Sequence, residues 1–253
     1  MAKAIIGILL LSCLVAMSGA NAAGLEFAVG GWQQDPSGTF GYKALSSADL
    51  INIDNDLNYD RKIRFQGRAK IETPTLLPNI YVVAAPSKFE ADGRKSGSFT
   101  FGDQTFSGSV DFYSKLRFDQ YDVGLYYGLP FLKTVTRGKL NVDLGVNARV
   151  FDVEAQIRQG ATDEKQSATV VIPQVYAAIQ VVPIERLAFE AESRLMSLSG
   201  NAIYSFIGRV RLRLFGPFFV AGGYRYDKID IDEEDVRANF DLRGPFAEVG
   251  VRF

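Results

Sequence analysis

The sequence predicts an all-β fold: an antiparallel transmembrane β-barrel of about ten strands, preceded by a cleaved signal peptide. Three observations predict it. Segment after segment alternates with a period of two, apolar residues on one parity and charged ones on the other. The pattern is clearest at Lys62 to Glu72, where Ile63, Phe65, Gly67, Ala69 and Ile71 oppose Lys62, Arg64, Gln66, Arg68, Lys70 and Glu72. The chain also ends on its apolar face, since Pro245, Ala247, Val249, Val251 and Phe253 share a parity opposite Glu248 and Arg252. A soluble sandwich seldom puts a free carboxylate on a buried C-terminal Phe, whereas a barrel in lipid turns that face outward and sets aromatic rings at the membrane interface. Finally, hydrophobic residues make up 47% of the sequence and aromatic ones 12%. Beyond the N-terminal segment no apolar run is long enough for a membrane helix, so any crossing is made by strands.

Met1-Ala2-Lys3 is a short positive start, Ala4 to Met17 is almost wholly apolar, and Ala20-Asn21-Ala22 has the small-x-small form of a signal-peptidase site. Cleavage after Ala22 divides the chain into a signal peptide, 1–22, and one barrel domain, 23–253, with no linker or low-complexity break inside it. A membrane anchor is disfavoured because the run is short and lacks a basic stop. A lipobox at Leu10-Leu11-Ser12-Cys13 is disfavoured because apolar sequence continues past the cysteine. Cys13 is the only cysteine and histidine is absent. The mature chain therefore has no disulfide, no Cys or His metal ligand and no Ser-His or Asp-His catalysis. The formal charge of −1 becomes −2 when Lys3 leaves with the signal, which offers nothing to nucleic acid.

Leu25 to Gln34 is the first strand. Asp35 to Asp60, polar and punctuated by Pro36, Gly38 and Gly41, reads as a long loop with a short helix near Ser46 to Leu50. After Lys62 to Glu72 a turn over Thr73 to Asn79 leads to a strand with Tyr81, Val83, Ala85 and Phe89 toward lipid, although Ile80, Val82 and Ala84 make its parity ambiguous. Gly93 to Leu116 reads as a hairpin projecting past the membrane, turning at Gly102-Asp103. The next outward stripes are Tyr121 to Leu129 and Leu140 to Val150, and the pattern flips beyond Phe151, by a bulge or by departure from lipid. Gly160 to Gln166 is a charged loop. Val171 to Val181 follows, with Pro173 awkward for a ladder. Leu187 to Leu195 and Tyr204 to Leu214 form a hairpin; a turn at Gly200-Asn201 pairs Ser199 with Ala202, Glu192 with Arg209 and Glu190 with Arg211. Phe218 to Tyr226, an acidic loop over Asp230 to Asp235 and the terminal strand complete an even count. Eight strands is the alternative if the Gly93 to Leu116 hairpin disturbs the register.

The inward face carries Arg64, Arg68, Lys70, Asp122, Asp143, Arg149, Glu190, Glu192, Arg194, Arg209, Arg211, Arg213, Arg225, Glu248 and Arg252, together with Glu26, Glu72 and Asp227. Enclosing so many charges is tolerable only if opposite signs pair or water remains. The expected role is an integral barrel, structural or narrowly and passively conducting, with a charged lumen; the filled interior is favoured because small barrels pack their own side chains. Binding or passage of small apolar molecules is the alternative. It requires Trp32, Tyr126, Tyr176, Ile203, Ile207 and Phe246 to cluster. Catalysis by Glu190 and Glu192 is disfavoured, since facing arginines explain them as structural pairs. Asp54 to Asp60 has alternating oxygen ligands but lacks the Gly and distal Glu of a calcium loop. Neither a cofactor nor a metal is expected.

Two resemblances add to this. The ending Val249, Val251, Phe253 resembles the C-terminal signal by which Gram-negative outer-membrane proteins are recognised for insertion, which implies the barrel-assembly machinery as partner. Val29-Gly30-Gly31-Trp32, Asp122-Val123-Gly124-Leu125-Tyr126-Tyr127 and Val142-Asp143-Leu144-Gly145-Val146-Asn147-Ala148-Arg149, with the terminal Phe, resemble a family of small proteobacterial outer-membrane barrels named for an N-terminal Gly-Gly. That family implies the outer membrane of a Gram-negative bacterium and a barrel within its lipid, with no catalytic residues to transfer; contact with lipopolysaccharide is expected instead from the acidic loops Asp54 to Asp60 and Asp230 to Asp235, through bridging divalent cations. Outer-membrane barrel enzymes of the omptin, phospholipase and lipid A-modifying types rely on His, which this chain lacks.

Overall fold

The computed structural model describes residues 24–253 apart from Thr75; the expected signal peptide lies outside the described residues. Among the described residues fourteen strands form: β1 (Leu25–Tyr42), β2 (Ile51–Asn52), β3 (Lys62–Ile71), β4 (Asn79–Ala85), β5 (Lys88–Gly93), β6 (Ser98–Phe101), β7 (Gln104–Ser107), β8 (Phe112–Gly128), β9 (Leu140–Gln159), β10 (Thr162–Ile184), β11 (Leu187–Leu198), β12 (Asn201–Arg213), β13 (Phe218–Asp232) and β14 (Val236–Arg252). Twelve belong to one antiparallel sheet; β2 and β5 are extensions at the rim, and the remaining ten close into a barrel where β14 pairs with β1. The closing ladder runs from Glu26↔Arg252 to Tyr42↔Val236, so the sheet has no free edge there. Both described ends meet at one mouth, Leu25 and Phe253 exchanging backbone hydrogen bonds. Short turns share that mouth. In a barrel of this kind it is the periplasmic one.

Closure explains the terminal strand and the Gly-Gly pair. A Cβ on Gly30 would lie 2.0 Å from the carbonyl oxygen of Ala247, so β1 and β14 approach closely only because this position has no side chain. Outside, Val29, Phe65, Leu125, Val146, Val175, Val210 and Val249 are exposed in a band around the wall. Inside, Arg149, Arg194, Arg225, Glu192 and Asp122 are buried. Apolar out and ionic in is the reverse of a water-soluble protein.

Several elements depart from the sequence expectation. β1 runs on through the expected loop to Tyr42, while the short helix expected near Ser46 to Leu50 forms as a single 3-10 turn at Ser47–Asp49, capped by Ser46. Tyr81, Val83, Ala85 and Phe89 face the interior, not lipid; over the first three both parities are apolar, and the polar end of Tyr81 decides by donating to Glu192. The flip beyond Phe151 involves no bulge, because β9 stays in unbroken register with β8 and β10. Phe151 and Ile157 remain inward and buried. What changes is the surroundings: outside the lipid the exterior must be polar and the interior may be apolar. Residues 160–166 are not a loop, since Gln159 pairs with Thr162 across a two-residue turn. The hairpin after β11 turns at Ser199-Gly200, both with positive φ, and pairs Ser197 with Ala202, Glu192 with Ile207 and Glu190 with Arg209. The register expected from Gly200-Asn201 is therefore off by two residues, which preserves every face. Type I′ geometry needs φ > 0 at both central positions, and Asn201 is held instead by its own side chain, which accepts from the Asp232 N–H. Pro173 costs little because β10 has no partner on the β11 side above Val175. A helix α1 (Pro130–Val135) at the periplasmic mouth, with Pro130 at its first position, is absent from the sequence expectation.

Candidate functional site

The lumen is the candidate site, and it has two layers. The lower layer is ionic. Alternation brings Glu26 from β1, Arg68 from β3, Glu248 from β14 and Arg209 from β12 to one level. Glu248 Oε1 accepts from Arg68 Nη2 at 2.7 Å and lies 3.0 Å from Arg209 Nε. Arg68 also pairs with Glu26, which in turn accepts from Arg211 Nη1 at 2.8 Å and faces Arg252 at 3.5 Å. Glu190 receives Arg209 and Arg211, each at 2.9 Å. Arg209 continues to Glu192 at 2.7 Å, where Arg194 at 3.3 Å and Lys70 at 3.6 Å also converge. Across the lumen Arg149 makes a bidentate pair with Asp122, at 2.7 and 3.0 Å, and lies 3.7 Å from Asp227, which Arg225 holds at 2.8 Å. Arg194 closes the chain 4.0 Å from Asp122.

One connected network thus spans the lumen from the β1–β14 closure to the β8–β9 wall. Nearly every carboxylate has two cations, so the desolvation of each charge is offset by more than one partner. Aromatic faces fill what remains. Arg194 lies over Tyr81 and Tyr176 at 5.1 and 5.4 Å, and Arg225 over Trp32 at 4.4 Å. The cavity between Arg68, Arg209, Arg225 and Glu248 measures about 10 Å³, room for roughly one water.

Three of the expected lumen residues stand apart. Arg64 leaves the network and donates to the Lys88 carbonyl across the β3–β5 seam, where Pro86 interrupts the ladder. Asp143 accepts from Asn141 at 2.7 Å and has no ion pair among the described residues. Arg213 is exposed at the periplasmic rim, likewise without an ion pair among the described residues; the stave has run past the lumen there.

The upper layer is apolar and comes largely from loops. Ile51, Ile53 and Leu57 of the β1–β3 loop and Phe99, Phe101 and Phe106 of the β6–β7 hairpin fold over the outer mouth and are buried with Phe89, Phe112, Phe118 and Phe151. The hairpin does not project; Phe99 stacks on Phe106 at 5.6 Å and meets Phe112 at 5.1 Å. Trp32, Ile203, Ile207 and Phe246 join this layer from the wall, whereas Tyr126 and Tyr176 form a separate group with Tyr81. The plug is absent from the sequence expectation, which has Gly93 to Leu116 projecting past the membrane. The spacing of the loop aromatics at Phe99-x-Phe101, on one face of a short strand, was the available signal.

Asp49 fastens the cap. Burial works to raise its carboxyl, but hydrogen bonds from the Thr100, Ser46 and Leu45 N–H groups and the Ser46 hydroxyl outweigh that and hold its pKa below the ordinary value. Asp54 and Asp56, candidates for a calcium loop, are used by the chain: Asp54 accepts from the Gly38 N–H, and Asp56 from the Asn52 N–H and Lys95.

A closed antiparallel barrel of even strand number, apolar outside and ionic within, has one solvent in which it is stable. The chain is an integral outer-membrane β-barrel of the Gram-negative type. No family model and no curated protein matches it. Among solved structures it is similar to the translocator domain of autotransporter NalP from Neisseria meningitidis, at 10% identity over 100% of this chain and 96% of that one, with a TM-score of 0.46. It is also similar to Ail, the attachment invasion locus protein of Yersinia pestis, at 11% identity over 92% and 100% and a TM-score of 0.39. For Neisserial surface protein A the identity is 10% over 93% and 100%, with a TM-score of 0.35. The architecture rests on the closed ladder and the exterior of the barrel, not on these likenesses.

Proposed function

We propose that this outer-membrane barrel is a closed, non-catalytic structural protein whose lumen is sealed in both layers. The single observation behind the reading is the continuity of the ionic network from Glu26 to Asp227, with a cavity of about 10 Å³ between Arg68, Arg209, Arg225 and Glu248. It works without a cofactor, and its carboxylates serve as counter-ions to arginine. Planar bilayers test this: the purified barrel is expected to give no discrete conductance steps at any salt concentration. Regular steps would replace the structural role with that of a narrow passive channel.

A second reading, binding or passage of small apolar molecules, is favoured by one observation, the gathering of Trp32, Ile203, Ile207 and Phe246 in the upper layer. It requires the plug to move. Under this reading an apolar fluorophore enters the intact protein slowly and barrels lacking residues 94–109 freely; exclusion by both disposes of it. The resemblance to the Gly-Gly barrels, insertion through the assembly machinery by way of Val249, Val251 and Phe253, and contact of the acidic outer loops with lipopolysaccharide through divalent cations belong to the same proposal. Phe253→Ala is expected to slow assembly in vitro by the purified machinery severalfold while leaving the spontaneously folded barrel equally stable.

A further inference from the structure

The outer wall of β10, β11 and β12 carries a shallow apolar groove of about 350 Å³. Ile179, Val181, Phe189 and Val210 form its sides, and Gly208, paired with Ala191, leaves its floor open. A Cβ added to Gly208 would meet nothing within 4 Å, so the hollow exists because this residue has no side chain. The groove descends along the strands, from the level of Ile179, Ala191 and Gly208 to that of Val181, Phe189 and Val210, and so points at the periplasmic rim.

At that rim three exposed cations are brought to neighbouring turns. The Val182 N–H donates to the Lys139 carbonyl at 2.7 Å, and the Arg213 N–H to the Arg186 carbonyl at 2.8 Å. Lys139, Arg186 and Arg213 are all exposed, and none has an ion pair among the described residues. Glu185 is the one acid in these turns, while Lys133 and Arg137 on the adjoining α1 hairpin add to the positive side. The lumen charges are matched almost one for one, so the unpaired cations at this rim stand out.

We propose that this wall and rim form a site for a phospholipid of the inner leaflet, one acyl chain lying in the Gly208 groove and the anionic phosphate held by Lys139, Arg186 and Arg213. The geometry suits one occupant that is both apolar and anionic. A chain packed in the groove recovers the dispersion contacts that a missing side chain forgoes. Cations at the headgroup level attract anionic lipid, each by an amount that adds with its neighbours. A soluble phosphate would satisfy the rim and leave the groove empty.

The test is lipid retention by the full mature barrel, folded in vesicles of phosphatidylethanolamine and phosphatidylglycerol, extracted in mild detergent and weighed by native mass spectrometry. The wild-type protein is expected to keep one phospholipid. The triple variant Lys139→Gln, Arg186→Gln, Arg213→Gln is expected to lose roughly tenfold or more in retention, and high salt to act on the wild type in the same direction. Gly208→Leu fills the groove from a position where a Cβ meets nothing within 4 Å, and is expected to reduce retention with the cations intact. Both variants should keep the heat-resistant mobility of the folded barrel in gels, which separates loss of the site from loss of the fold. Retention unchanged in both variants would overturn the proposal and leave annular lipid only. Loss in the triple variant alone would assign the phosphate contact and overturn the groove.

Discussion

Asp122 shows what a single residue does in this lumen. It faces Arg149 in a bidentate pair and Arg194 beyond, with Asn147 donating at 2.8 Å, and all four side chains are buried. Asp122→Ala takes the bidentate counter-charge from Arg149, leaving it Asp227 at 3.7 Å, and leaves Arg194 with Glu192 alone at 3.3 Å; it is expected to cost about 3 kcal/mol in urea unfolding from vesicles, whereas Asp122→Leu with Arg149→Met recovers much of it. A cost below about 1 kcal/mol for the single change would mean that water reaches the site. Trp32, the only tryptophan, reports on the boundary between the layers. It is fully buried, donates to the Gly244 carbonyl at 3.2 Å and lies beneath Arg225. Its emission is expected to resist iodide in the folded barrel. Ready quenching would contradict the seal. The sequence showed which residues face inward because a period of two fixes the face wherever one parity is charged. It failed at Tyr81, Val83 and Ala85, where both parities are apolar and only a distant partner, Glu192, breaks the tie, and at Phe89, which lies in the apolar upper layer with Lys88 and Glu90 turned outward.

At the scale of elements, the outer cap is the part most open to conditions. Asp49 joins the turn at Ser47–Asp49 to the hairpin through the Thr100 N–H at 2.8 Å. Its folded pKa lies below the ordinary value, so its contribution is complete above the ordinary carboxylate range and is lost as pH falls through the lower folded value. Protease nicking of residues 94–109 is therefore expected to be slow at pH 6 and to rise only in strong acid, and Asp49→Asn to raise it at pH 6. Nicking that is independent of both would remove Asp49 as the fastening. The β11–β12 hairpin makes a sharper test of register. Cysteines at Ser197 and Ala202 should cross-link, since the two residues pair, and cysteines at Ser199 and Ala202 should cross-link poorly. The strand pattern was legible here and the turn was not: Ser199-Gly200 and Gly200-Asn201 both suit a two-residue turn, and the Asn201 contacts with Asp232 and Glu233 that settle it come from another strand pair.

For the whole molecule, the sequence carried the number of crossings and the closure, because lipid forces an unbroken outer stripe and the chain's last residues must pair with its first. It did not carry the plug, because outside the lipid the rule reverses and Phe99, Phe101, Phe106 and Phe151 turn inward for the ordinary reason that water surrounds them. One polypeptide thus obeys two opposite patterns on either side of a level near Phe151. The most direct measurement of this inside-out order is a collision profile of nitroxide labels on single cysteines at Tyr204, Phe206, Gly208, Val210 and Leu212 of β12 in vesicles, convenient because Cys13 is the chain's only cysteine. A lipid-facing stripe gives high accessibility to oxygen and low accessibility to a water-soluble nickel complex at all five positions, with the strongest contrast near Gly208. Equal access of the nickel complex at Gly208 and Val210 would contradict it, because that face would then look into water.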